Sequence, residues 1–274
     1  MKLSSIMTTD VVTIGADDSL DEAIALFDRH SFRHLPVVRR GALVSLLSRR
    51  TLAMSTGWLT ADENKRRGHR GPELVTEIMQ DRIVSLGPDH DVETAASMMI
   101  GKRAGAIPIL EDSVFVGIVT ATDLLGAIRK RNPRAEWGGN AAADAKVSEY
   151  MMSKLETLTP ERNVAEAAGI CRRKDLRHVA ITEEGAIVGL VSERELRFGL
   201  EDTEVEDDAP LSEVMVTEFV TIGPNEDLCA AADSMIENGV SALPVVMNHE
   251  LVGLLRNSDV IQHFTAKYRV PPIV

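Results

Sequence analysis

The stretch SSIMTTDVVTIGADDSL, Ser4–Leu20, returns three times along the chain. It reappears as VTEIMQDRIVSLGPDHDV at Val75–Val92, VSEYMMSKLETLTPERNV at Val147–Val164 and LSEVMVTEFVTIGPNEDL at Leu211–Leu228. With Met7, Met79, Met151 and Met215 as origins, the copies are spaced by 72, 72 and 64 residues. They then align without a gap over about 45 residues, so the chain reads as a repeat protein before it reads as anything else. Six positions after each origin stand Thr13, Ser85, Thr157 and Thr221; twenty-nine after stand Pro36, Pro108, Ala180 and Pro244.

Each copy carries the same string of elements. An extended stretch such as Val11–Ile14 leads into a turn rich in Gly, Pro and Asp. An amphipathic helix follows, with apolar residues at i, i+3, i+4 and i+7. In the four copies these are Leu20, Ala23, Ile24, Phe27; Val92, Ala95, Ala96, Met99; Val164, Ala167, Ala168, Cys171; and Leu228, Ala231, Ala232, Met235. Two short apolar strands, for instance Ile107–Leu110 and Phe115–Val119, and a last short helix complete the unit. This is an α/β fold of four repeats, each a short β-sheet plus helices. One unit is too small to cover both faces of its sheet, so units are expected to bury each other's open faces in pairs.

The copies alternate. The first and third carry Arg33-His34 and Arg177-His178 before the second strand, where the second and fourth carry Gly105-Ala106 and Ser241-Ala242. The ancestral unit was therefore already a pair, and the chain is that pair duplicated. The expected modules are residues 1–130, with repeats at about 1–55 and 72–130, and residues 146–274, with repeats at about 146–200 and 210–266. The boundary is placed in the polar, Gly- and Ala-rich segment Arg131–Lys146.

Composition narrows the function classes. A net charge of −12 disfavours nucleic acid and anionic membrane surfaces as partners. The basic run Lys65–Arg70, with a glycine inside it and no interleaved aromatics, reads as a solvated linker, as does the acidic stretch Glu201–Asp208. No run of about 18 apolar residues occurs, and the first ten residues lack the apolar core of a signal peptide. Cys171 and Cys229 make neither a disulfide framework nor a metal-spaced pair, so a cytoplasmic setting is expected. No Gly-rich phosphate loop, metal-ligand cluster or nucleophile–base constellation is legible, and the seven histidines are scattered without ligand spacing. An enzyme is not expected.

The pattern resembles the cystathionine-β-synthase (CBS) domain family. The resemblance rests on the opening IM…VVTI, the strands RHLPVV, AIPIL and SALPVV, and the close GIVTATD at Gly117–Asp123. It implies four CBS repeats paired into two Bateman modules, with composite clefts that commonly bind adenosine-containing ligands. It also implies that two modules can assemble into a flat disc, within one chain or as a homodimer.

In that family the Thr-x-x-Asp of one repeat faces the first strand and the apolar-Pro-apolar strand of its partner. Carried over, Thr120 and Asp123 would hold a ribose while Val12, Thr13 and the Leu35-Pro36-Val37 region line the base pocket, with Arg33 and His34 near the phosphate. The second module would use Arg256 and Asp259 with Glu156, Thr157, Arg177, His178 and Val179. The chemistry suits a nucleotide: a carboxylate can accept from both hydroxyls of a cis-diol, and charged acceptors make the stronger bonds. The same spacing is also a helix capping box.

At the four equivalent positions stand Ser48/Thr51, Thr120/Asp123, Ser192/Glu195 and Arg256/Asp259. Only the second copy has the full pair. The first lacks a carboxylate, and the third reads as a cap because Glu195 is one methylene longer than Asp. In the fourth, Arg256 either grips a phosphate or blocks the cleft. Ala180 in place of proline is expected to loosen the third repeat's strand.

These features predict a regulatory protein that binds AMP, ADP, ATP or S-adenosylmethionine as a regulatory ligand, with no catalytic cofactor, and signals in trans to an unidentified protein. The alternative is a non-catalytic scaffold with degenerate nucleotide sites.

Overall fold

A computed structural model describes residues 1–30, 32–56, 72–80, 83–130, 145–174, 176, 178–192, 195–198 and 206–265. The basic run Lys65–Arg70, nearly all of the expected boundary segment, residues 201–205 and Arg177 lie outside the described residues. Two compact units divide between Asp123 and Leu124, inside a helix and upstream of the expected boundary segment.

In the first unit, β1 (Ile14–Gly15), α1 (Leu20–Arg29), β2 (His34–Arg39), β3 (Ala42–Ser48) and α2 (Arg49–Thr56) form the first repeat. Its sheet runs β1-β2-β3, with β1 parallel and β3 antiparallel to β2. The parallel β1–β2 pair needs a crossover, which α1 supplies. The second repeat contributes α3 (Val92–Lys102), β4 (Ala106–Glu111), β5 (Val114–Thr120) and α4 (Ala121–Lys130), the helix in which the two units divide. Its opening strand is reduced to one parallel bridge, Leu86 to Ile109.

The second unit repeats the plan with α5 (Val147–Tyr150), β6 (Thr157–Leu158), α6 (Val164–Lys174), β7 (His178–Glu183), β8 (Ala186–Ser192) and α7 (Glu195–Phe198). Then follow α8 (Leu228–Glu237), β9 (Ala242–Met247), β10 (Glu250–Arg256) and α9 (Asn257–Thr265). Here the hairpins join into one five-stranded sheet, β6-β7-β8-β10-β9, through Ala186 and Glu250.

The i, i+3, i+4, i+7 residues predicted for the four long helices are buried in every copy, from Leu20 to Met235. With few aromatics available, this small aliphatic stripe is what fills the core. Each helix begins on a side-chain cap twelve residues after its methionine: Ser19, Asp91, Asn163 and Asp227 accept the backbone N–H three residues on.

The same cap residues tie the repeats together. Lys2 bridges Asp91 while Ser19 bridges Leu74; Lys146 bridges Asp227 while Asn163 bridges Pro210. Position five before one methionine thus meets position twelve after the partner's, and the reverse, which is the reciprocity of a two-fold pair.

A second tie lies deeper. Val44, Val116, Val188 and Val252 are each skipped in their hairpin register, a one-residue bulge that bends the strand. The next residue is Gly117, Gly189 or Gly253, and the partner repeat's methionine lies against it. A Cβ at Gly117 would come 2.7 Å from the Thr8 carbonyl oxygen, and one at Gly189 2.5 Å from the Met215 sulfur; at Gly253 it would strike Met151. Only the first repeat has a side chain there. Ser45 is fully buried, and its hydroxyl donates to the Gln80 carbonyl (3.0 Å) and accepts from the Gln80 N–H (3.2 Å).

Two expectations are corrected. The opening strands are two-residue rungs or single bridges rather than full strands, because the residues before them cross to the partner's sheet. Ala180 does not loosen its strand: β7 keeps six residues and the bulged register of β2, held by β6 on one side and β8 on the other.

Candidate functional site

The first cleft is built from the crossing of the opening segment. Thr8 exchanges both backbone hydrogen bonds with Ile118 on β5, at 2.9 Å each. Six residues later Ile14 pairs with Val37 on β2. The intervening segment, with Val12 exposed and Thr13 half-buried, therefore runs from the strand that ends in Thr120 to the strand that holds Pro36. Pro36 and Val37 are buried, so they can offer a ligand backbone rather than side chain. β1 covers only Val37 and Val38, leaving Leu35 and Pro36 beyond its end. Arg33 is exposed and His34 is half-buried at the start of β2, across from Ser48.

Thr120 ends β5 opposite Ala106, and Asp123 stands in the first turn of α4; both are half-buried. Their hydrogen bonds form a closed local set. The Thr120 N–H (2.8 Å) and hydroxyl (2.7 Å) both donate to Asp123 Oδ2, and the Asp123 N–H approaches Thr120 Oγ1 at 3.4 Å. The capping box is therefore real. It uses one carboxylate oxygen, and Asp123 Oδ1 takes no hydrogen bond among the described residues. The cap fixes the carboxylate's direction and leaves an acceptor over.

The other three copies pair the same two positions. Ser48 Oγ pairs with Thr51 Oγ1 at 2.8 Å and caps the Thr51 N–H. The Ser192 N–H donates to Glu195 Oε2 at 2.8 Å and the Ser192 hydroxyl to the same oxygen, with Glu195 buried. The Arg256 N–H donates to Asp259 Oδ2 at 2.9 Å, like its threonine counterpart. Its guanidinium then adds Nε to Oδ2 at 3.0 Å and Nη2 to Oδ1 at 2.8 Å. This two-pronged pair occupies both oxygens, and hydrogen bonding to Asp259 raises the Arg256 guanidinium above its ordinary pKa against the opposing effect of partial burial.

The rest of the second cleft follows the first. Met152 exchanges backbone hydrogen bonds with Leu254 as Thr8 does with Ile118. Thr157 and Glu156 are exposed, His178 is half-buried and Val179 is buried; Arg177 lies outside the described residues. Glu156, the counterpart of Val12, is in an ion pair with Lys174 of α6. The sequence reading missed that pair and the Ser45–Gln80 exchange. The second was signalled by a serine standing where the other three copies have glycine.

Among the described residues no cluster of His, Cys, Asp or Glu could hold a metal ion, and no helix is long and apolar enough to cross a membrane.

Comparison with known proteins agrees with this architecture. A crystal structure of protein MJ1225 from Methanocaldococcus jannaschii superposes over 96% of this chain and all of its own, with a TM-score of 0.79 at 20% identity. In sequence, MJ1225 is 22% identical over 275 residues, covering 93% of this chain and 95% of that protein. A Pyrococcus horikoshii protein covers 96% of this chain and all of its own at a TM-score of 0.64 and 19% identity. YhcV of Bacillus subtilis, a CBS domain-containing protein, is 33% identical over 118 residues, 43% of this chain and 79% of its own length. The CBS domain model matches four times, at residues 3–55, 75–130, 147–202 and 211–266, and these matches cover most of the sequence. Four repeats, paired two by two: the chain belongs to the CBS domain family.

Proposed function

We propose that this protein is a regulatory sensor that binds adenosine-containing ligands, AMP, ADP, ATP or S-adenosylmethionine, in the clefts between its paired repeats. The observation that carries the reading is the Asp123 carboxylate. It is aimed by Thr120, takes no hydrogen bond at Oδ1 among the described residues, and follows the strand on which the partner repeat's Thr8 pairs with Ile118. Ribose hydroxyls would donate to it, Val12, Thr13 and the backbone of Leu35–Val37 would line the base, and Arg33 and His34 would approach the phosphate. In the second module Asp259 and Arg256 take the first role and Thr157, Arg177, His178 and Val179 the others. The modules are taken as residues 1–130 and 146–274. Binding can shift conformation only by a difference in affinity between two states, and the output passes to a partner protein in the cytoplasm. MJ1225 has been put forward as an archaeal homologue of g-AMPK, which is in keeping with such a role.

A scaffold without a ligand is the second reading. The self-satisfied pairs at Ser48/Thr51 and Ser192/Glu195 favour it. Isothermal titration with AMP, ADP, ATP and S-adenosylmethionine separates the two. The sensor predicts saturable heat with at least one of them, and no heat or thermal shift with any would leave the scaffold.

A further inference from the structure

We propose that Arg256 makes the second module's cleft selective for phosphorylated adenosine ligands, because its ion pair with Asp259 yields only to a ligand that brings its own anion. The inference rests on the nucleotide-sensor reading above and adds what that reading leaves open, namely which ligand chemistry each cleft admits.

The two clefts start from the same backbone. In both, the residue ending the last strand donates its N–H to Oδ2 of an aspartate three residues on, at 2.8 Å from Thr120 and 2.9 Å from Arg256. In the first, the remaining oxygen is open. In the second, the guanidinium holds both oxygens, with Asp259 12% exposed and Arg256 49% exposed at their side chains. The cation thus sits outward of the carboxylate, at the mouth.

An uncharged diol arriving at Asp259 must displace two charge-assisted hydrogen bonds and leave a guanidinium without its counter-ion. A nucleotide avoids that loss. Two oxygens of its phosphate offer the guanidinium a two-pronged anionic partner in place of the carboxylate, and the carboxylate oxygens pass to the ribose. S-adenosylmethionine brings one carboxylate but also a sulfonium and an ammonium group, so it adds net positive charge to a site already lined by a guanidinium. Discrimination here comes from the repulsive element as much as from the attractive one. At the position of Val12 this cleft also carries Glu156, whose charge is already paired with Lys174.

The test uses full-length protein in an Asp123→Ala background, which weakens the first cleft, titrated with AMP and with adenosine. The expected result is AMP bound on the order of 10- to 100-fold more tightly than adenosine, the range of one or two hydrogen bonds to a charged group. Adding Arg256→Thr, which restores the hydroxyl of the second repeat, should raise adenosine affinity, lower AMP affinity and collapse that ratio. Arg256 is half-exposed, and a thermal melt checks that the variant folds. Equal affinities for the two ligands, or a ratio unmoved by Arg256→Thr, would overturn the proposal. So would an Asp123→Ala protein that binds neither ligand while wild type binds AMP, since the second cleft would then be shut. Failure of wild type to bind AMP, ADP, ATP and S-adenosylmethionine alike would overturn the sensor reading along with it.

Discussion

At the scale of single residues, one position in the repeat does two jobs, and the copies show them coming apart. All four copies cap the helix after their last strand, with Ser48, Asp123, Glu195 or Asp259 accepting a backbone N–H. Among the described residues Asp123 keeps Oδ1 without a hydrogen bond, whereas both oxygens of Asp259 are held by Arg256. The cap role of Thr120 predicts that Thr120→Ala lowers stability by about 0.5–2 kcal/mol in urea denaturation. Ser45 obeys a different constraint. Its buried hydroxyl bonds to both the Gln80 N–H and the Gln80 carbonyl. Ser45→Ala is expected to cost about 0.5–1.5 kcal/mol, the net worth of an ordinary intramolecular hydrogen bond, measured by the same denaturation midpoint. A surface serine would show almost nothing.

Among elements, the repeats are joined by a bulged strand of one packing on the methionine of the other. The glycine after each bulge is needed for close approach, and what it faces sets the cost of adding a methyl group. At Gly117 the obstacle is the Thr8 carbonyl oxygen, which is backbone and bonded to Ile118; at Gly189 it is the flexible Met215 side chain. Gly117→Ala should therefore destabilise by more than Gly189→Ala, within the ~1–3 kcal/mol typical of overpacking, and thermal melts of the two variants would show the order. The helix stripes, the cap positions and the pairing of repeats were legible in the sequence, because a period of 3.6 and a fourfold comparison expose them. The bulges were not, since a skipped Val116 looks like any other strand valine. The hairpin turns were also hidden. Arg40-Gly41, Asp112-Ser113, Glu184-Gly185 and Asn248-His249 all take positive φ, but none is the Asn-Gly or Asp-Gly pair that announces such turns. For the site, residue types placed Asp123 and Asp259 in equivalent roles. Their different occupancy depends on where the Arg256 side chain folds back, which no spacing reveals.

For the whole molecule, reciprocal bridging makes the pair of repeats the folding unit. A fragment of residues 1–130 is expected to unfold cooperatively, while residues 1–56 alone, without the partner that covers their sheet, should give no cooperative transition by circular dichroism. Ligand binding to the folded state alone adds stability by mass action, about 2.7 kcal/mol at a hundredfold excess over Kd, which a thermal shift reads directly. The most direct test of the sensor reading is the AMP affinity of full-length wild type against Asp123→Ala by isothermal titration. Loss of that carboxylate predicts that binding at the first cleft weakens on the order of 10- to 100-fold, so that one class of AMP site is lost or weakened. An Asp123→Ala protein that melts like wild type and binds AMP with the same affinity and the same number of sites would contradict it.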